Sequence, residues 1–117
     1  MQNTPHAPVM DARINRHVFV CTGASCSEHD SAATLEAFRA VLKQAGLLYG
    51  KRGSMAGTVV LTTCGSVGFC NCGPAVLVYP DGVWYHSVTA ADVPEIVSEH
   101  LQNNRVVSRL VGLKLTV

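Results

Sequence analysis

A chain of 117 residues with 48% hydrophobic and 15% charged side chains has the composition of one globular domain, not of a disordered segment. Its formal net charge is +1 and no basic block appears beyond Lys51-Arg52, which excludes the electrostatic footprint of a nucleic-acid binder. No apolar run is long enough to cross a bilayer.

Residues 1–16, MQNTPHAPVMDARINR, show no periodicity and lack a basic leader followed by an apolar stretch. They read as a loose arm on a cytoplasmic chain. HVFVC (17–21) is a short β-branched and aromatic run, a strand ending at the first cysteine. SAATLEAFRAVLKQAG predicts a helix. Leu35, Phe38, Val41 and Leu42 share a face, Gly46 stands at the stop, and Asp30 and Ser31 are N-cap candidates. LLYGKRGSMAG (47–57) reads as a loop, and TVVLTT (58–63) as a strand ending just before Cys64. AVLVYPDGVWYHSV (75–88) predicts a hairpin, with Pro80 at the second position of a type I turn and Gly82 left-handed after it. TAADVPEIVSEHL predicts a second helix with an apolar stripe of Val93, Ile96, Val97 and Leu101. Thr89 with Asp92, or Asp92 with Glu95, forms its capping box, and Pro94 favours a start at Asp92.

The order β-α-β-β-β-α implies an α/β fold, a four-stranded mixed sheet with two helices in the manner of thioredoxin-like domains. Residues 17–105 form that domain, after the arm at 1–16 and before an apolar tail at 106–117. The tail carries Val106, Val107, Leu110, Val111, Leu113, Leu115 and Val117, which calls for packing on the domain or across a dimer interface. Both cysteine groups follow the C-terminal ends of the two parallel strands, where such sheets hold ligands.

Five cysteines, an odd number, fit a disulfide framework poorly in a reducing compartment and point to metal or redox chemistry. Thiolates on two adjacent loops suit zinc, a [2Fe-2S] cluster or two disulfides. Zinc prefers closely spaced pairs; Cys21-x4-Cys26 fits and Cys64-x5-Cys70 is loose. Plant-type ferredoxin spacing fails because His29 stands where a third cysteine belongs. A Rieske centre would need histidines near the second group, the nearest being His86, and the C-x-x-C redox motif is absent. A disulfide between Cys70 and Cys72 would be strained. Gly65, Gly68 and Gly73 let backbone N–H groups turn toward anionic sulfurs, which favours a cluster; their bland role is to make turns.

From HVFVCTGASC, GFCNCGPAVLVYPDGVWY and VTAADVPEIVSEHL, the chain resembles the thioredoxin-like [2Fe-2S] ferredoxins, also called Shethna-type. That family is related to the small iron–sulfur subunit of respiratory NADH dehydrogenases. The resemblance implies a homodimer, a [2Fe-2S] cluster in loops at the sheet edge, and one-electron transfer. The four-residue spacer between Cys21 and Cys26 is similar to the respiratory subunits. Aligned on Gly73-Pro74, the fourth ligand is Cys70, whereas Ser66 stands where the family has its third. The implied ligands are therefore Cys21, Cys26, Cys64 and Cys70, with Ser66 or Cys72 as alternatives to Cys64. Thiolate is the softer donor and favours Cys64.

Other residues carry less chemistry. Phe69 is a candidate cluster shield or a plain anchor; Trp84 and Tyr85 read as packing or dimer contacts. His29 could bond a sulfur, and Lys51-Arg52 could meet an acidic partner, each against the plainer reading of a solvated loop. No catalytic serine, Cys–His pair or carboxylate dyad is evident, so the reading is a non-enzymatic electron carrier acting between redox partner proteins. The alternatives are a cluster-bearing accessory subunit of a larger oxidoreductase or nitrogenase-type system, and a zinc-stabilised or cluster-less thioredoxin-like binding module.

Overall fold

The computed structural model of the protein describes residues 14–21, 31–49, 57–64 and 74–114. The chain enters through β1 (Arg16–Cys21), crosses over by helix α1 (Ser31–Gln44) and returns along β2 (Val59–Cys64). β3 (Val76–Tyr79) and β4 (Val83–Tyr85) form the hairpin. Helix α2 opens as a 3-10 turn (Ala90–Asp92), makes one α turn (Val93–Glu95) and widens to π geometry over Ile96–Gln102. A 3-10 turn (Ser108–Leu110) then feeds β5 (Val111–Lys114).

The sheet order is β2-β1-β3-β4-β5. β1 and β2 are parallel, and the remaining pairs are antiparallel. The mixed sheet and two helices are as expected, but there are five strands rather than four. The additional one comes from the apolar tail, which pairs with β4 through a bulge at Trp84/Tyr85. Val107 and Leu110 bury the connection against the core, so the tail packs on the sheet.

Alternation of side chains splits the sheet into two faces. Val18, Val20, Val59, Val76, Val78, Val83 and Tyr85 point one way and are fully buried. They meet Phe38 and Leu42 of α1 and Val93, Ile96, Val97 and Leu101 of α2 in one cluster, so both helices lie on this face. Each such side chain contributes about 1.5–3 kcal/mol through burial. The opposite face carries His17, Phe19, Val60, Thr62, Leu77, Trp84, Tyr79 and Leu113, the last two 61% and 44% exposed.

Local signals explain most boundaries. Gly46 takes φ 73 just beyond α1, a left-handed stop that favours glycine. Of the two N-cap candidates, Ser31 is the first helical residue and is buried, while Asp30 lies outside the described residues. α2 begins at Ala90 rather than Asp92, because the Thr89 box is the one that forms. The Thr89 N–H donates to Asp92 Oδ2 at 3.0 Å. In the hairpin Gly82 has φ 69 and donates to the Val78 carbonyl at 2.9 Å, a wider closure than a four-residue turn; the Tyr79–Pro80 bond is cis.

Leu47–Tyr49, in the segment expected as a loop after α1, pair with the start of β2. Leu48 bridges Val59 in parallel, with Val59 N–H to Leu47 O at 3.0 Å and Tyr49 N–H to Val59 O at 2.9 Å. Gly57 permits this, since a Cβ there would lie 2.1 Å from the Leu47 oxygen.

A polar chain, buried at Tyr85 and His100 and exposed at Asn104, runs from the end of β4 to the hairpin turn and the start of β1. Tyr85 Oη accepts the Val107 N–H at 3.0 Å and donates to His100 Nδ1 at 2.7 Å. His100 Nε2 donates to Asp81 Oδ2 at 2.8 Å, which fits the tautomer protonated at Nε2. Arg16 Nε reaches Asp81 Oδ1 at 3.1 Å, and Arg16 Nη2 donates to Asn104 Oδ1 at 2.6 Å. Burial alone would raise the Asp81 carboxyl, but hydrogen bonds from His100 and Arg16 outweigh it and hold the group below its ordinary value.

Candidate metal centre

The site is built from strand ends. β1 and β2 run in parallel with Cys21 paired to Cys64, so the last residue of each strand is a cysteine. Adjacent strands lie about 4.8 Å apart and register partners point to the same face, so the two thiols are neighbours on the face opposite the helices. Cys21 is fully buried and Cys64 half-buried. On its other side Cys21 donates its N–H to the Ala75 carbonyl at 3.0 Å. The ends of β1, β2 and β3 that adjoin residues 22–30 and 65–73 are therefore adjacent in the sheet. Cys26, Ser66, Cys70 and Cys72, together with His29, Phe69 and Lys51-Arg52, lie outside the described residues.

Below the cysteines the same face continues with aromatic groups. The His17 ring stacks on Phe19, with centroids 4.0 Å apart and planes 16° from parallel. Its Nε2 shares a 2.6 Å hydrogen bond with Thr62 Oγ1, and burial lowers its pKa. The described strand positions of this face carry no Asp, Glu, Lys or Arg. Two soft thiol donors in such surroundings suit a metal ion, an iron–sulfur cluster or a disulfide. Among the described residues no group of three or more His, Cys, Asp or Glu side chains is placed to hold a metal ion.

Relatives narrow the choice. A 2Fe-2S ferredoxin of Clostridium pasteurianum is 38% identical over 102 residues, 80% of this chain and 92% of the relative. A 2Fe-2S ferredoxin of Aquifex aeolicus is 38% identical over 104 residues, 82% of this chain and 87% of the relative. The solved thioredoxin-like [2Fe-2S] ferredoxin of Aquifex aeolicus superposes with a TM-score of 0.73 at 35% identity, covering 89% of this chain and 96% of that one. The chain belongs to the thioredoxin-like [2Fe-2S] ferredoxin family. No family model matches it.

In this thioredoxin-like ferredoxin, Cys21 is flanked by hydrogen bonds that the sequence did not signal. Pro74 and Ala75, the first described residues after 65–73, are both buried. Their carbonyls accept N–H groups from Val88 at 3.0 Å and from Cys21 at 3.0 Å. Val88 in turn accepts a 2.7 Å bond from the Thr34 hydroxyl of α1. Thr34 stands between apolar residues in the helix stripe, and its polar role has no signal in the local pattern. No described helix is long and apolar enough to cross a membrane.

Proposed function

We propose that this ferredoxin carries one electron at a time between redox partner proteins in the cytoplasm, without catalysing a reaction of its own. A [2Fe-2S] cluster would supply the one-electron chemistry, held by Cys21, Cys26, Cys64 and Cys70. The observation that carries the reading is the Cys21–Cys64 register, which puts one thiol of each cysteine group on neighbouring strand ends. The donor set fits the group: sulfur suits iron, and the uncharged face beside it adds no carboxylate to oppose an anionic centre. Cys21 is buried while Cys64 is half-buried, so one side of the centre is shielded from water and the other stays near the surface where a partner docks. Anaerobic purification should give a brown protein with two irons and two acid-labile sulfides per chain, as a 2Fe-2S centre requires. A colourless, zinc-containing preparation would overturn the assignment.

The chain works as a homodimer, and the open sheet face is the surface that pairs. Its described strand positions are apolar, aromatic or uncharged polar, with Tyr79 and Leu113 substantially exposed. Depletion of charge suits a lasting contact between copies better than a transient electrostatic encounter. Tyr79→Glu is expected to weaken self-association by roughly tenfold or more, with light scattering reporting the monomer mass at concentrations where the parent is dimeric. An unchanged mass distribution would remove this face from the interface.

A further inference from the structure

We infer that Thr34 is a positioning residue for the metal centre, tying the start of α1 through Val88 to Pro74-Ala75 and so to Cys21. The inference rests on the cluster-binding reading above and assigns a role to a residue outside the ligand set. Thr34 lies in the first turn of α1 and is 1% exposed. A threonine in a helix commonly turns its hydroxyl back onto its own helix. Here Oγ1 leaves the helix and donates to the Val88 carbonyl at 2.7 Å, 54 residues away in the chain.

Val88 is fully buried and uses both of its backbone groups for this purpose. Its carbonyl accepts from Thr34, and its N–H donates to the Pro74 carbonyl at 3.0 Å. Ser87, the residue before it, holds φ 50, a left-handed conformation that a non-glycine residue adopts only when its surroundings enforce it. The adjoining Ala75 carbonyl accepts the Cys21 N–H. A series of three hydrogen bonds thus runs from α1 through Val88 and Pro74-Ala75 to Cys21. α1 begins directly after residues 22–30, and Pro74 directly follows residues 65–73, so the series joins described residues that adjoin both cysteine groups in the chain. Without the hydroxyl, the Val88 carbonyl is a buried acceptor that has lost this donor, and relief comes through movement of the backbone that holds Pro74.

The test compares Thr34→Val, which keeps the shape and deletes the donor, with Thr34→Ser, which keeps the donor. Thr34→Val is expected to release iron to a chelator roughly tenfold faster and to shift the g-values and midpoint potential of the reduced centre. Thr34→Ser should retain the parent values on all three readouts. Phe38→Leu, in the same helix but outside the series, controls for stability. It should release iron at the parent rate even where its denaturation midpoint falls as far. Parent-like release and spectrum in Thr34→Val, or equally fast release in Phe38→Leu, would overturn the inference. If Thr34→Val does not fold, Thr34→Ala against Thr34→Ser poses the same question, since alanine is the best-tolerated helix residue. Hydrogen exchange at the Cys21 and Val88 amides reads the brace independently of any cluster. Should the parent chain carry no iron, the electron-carrier reading fails, while faster exchange in the hydroxyl-deleted variant would still uphold the brace and unchanged exchange would refute it.

Discussion

Cys64→Ser is expected to give a folded chain without a cluster, whereas Cys72→Ser is expected to keep the iron and sulfide content of the parent. Cys64 closes β2 opposite Cys21 in the parallel register, so its sulfur is held beside the one fully buried thiol of the described site. Moving the ligand to Ser66 would discard that alignment and exchange a soft thiolate for a hard oxygen with far lower affinity for the centre. The serine variant should nonetheless fold, because Cys64 is half-buried at a strand end and the core consists of other side chains. Iron and sulfide analysis with the visible spectrum decides the matter. A brown Cys64→Ser protein together with a colourless Ser66→Ala protein would transfer the third ligand to Ser66. Loss of the cluster in Cys72→Ser would transfer it to Cys72.

What the sequence disclosed was the part of the fold written in local pattern. The 3.6-residue stripe of Val93, Ile96, Val97 and Leu101 is buried as expected, and the β-branched runs at 17–21 and 58–63 are the parallel strands, the second reaching one residue further than expected to include Cys64. Gly46 and Gly82 hold the left-handed conformations their positions call for. β5 escaped notice because Val111–Lys114 contains Gly112, reaches β4 through a bulge and follows a long connection instead of a tight turn. The Leu48–Val59 bridge escaped because it depends on the Gly57 backbone coming within contact of Leu47. The polar braces were invisible for the same reason. His100 and Asp81 lie 19 residues apart, and Thr34 and Val88 lie 54 apart. An Asp in a Pro-Asp-Gly turn reads as solvated, and a His in a helix reads as a surface residue, until the fold makes them neighbours.

The polar network of Tyr85, His100 and Asp81 supports the second large effect. Tyr85→Phe keeps the buried ring but removes at once the acceptor of the Val107 N–H and the donor to His100 Nδ1. Each buried group deprived of such a bond costs about 1–3 kcal/mol, so the variant should lose roughly 3 kcal/mol. For a domain of this size that corresponds to a fall in Tm of about 10–20 °C at neutral pH. The effect has a pH signature that simple loss of packing lacks. Burial pushes the Tyr85 hydroxyl up to about 12, with the Val107 N–H working against the rise and the Asp81 charge adding to it. An unfolded tyrosine ionises near pH 10, so between about pH 10 and 12 the unfolded chain releases a proton that the native chain keeps. The unfolded state then binds fewer protons, and stability falls as pH rises through that window, by about 2–3 kcal/mol in total. The stabilisation is fully present below pH 10 and lost above 12. Phenylalanine has no proton to release and lacks this alkaline limb. Denaturant unfolding of both proteins from pH 7 to 12 should show a wide stability gap that narrows above pH 10. Curves that stay parallel would mean that Tyr85 contributes through its ring alone.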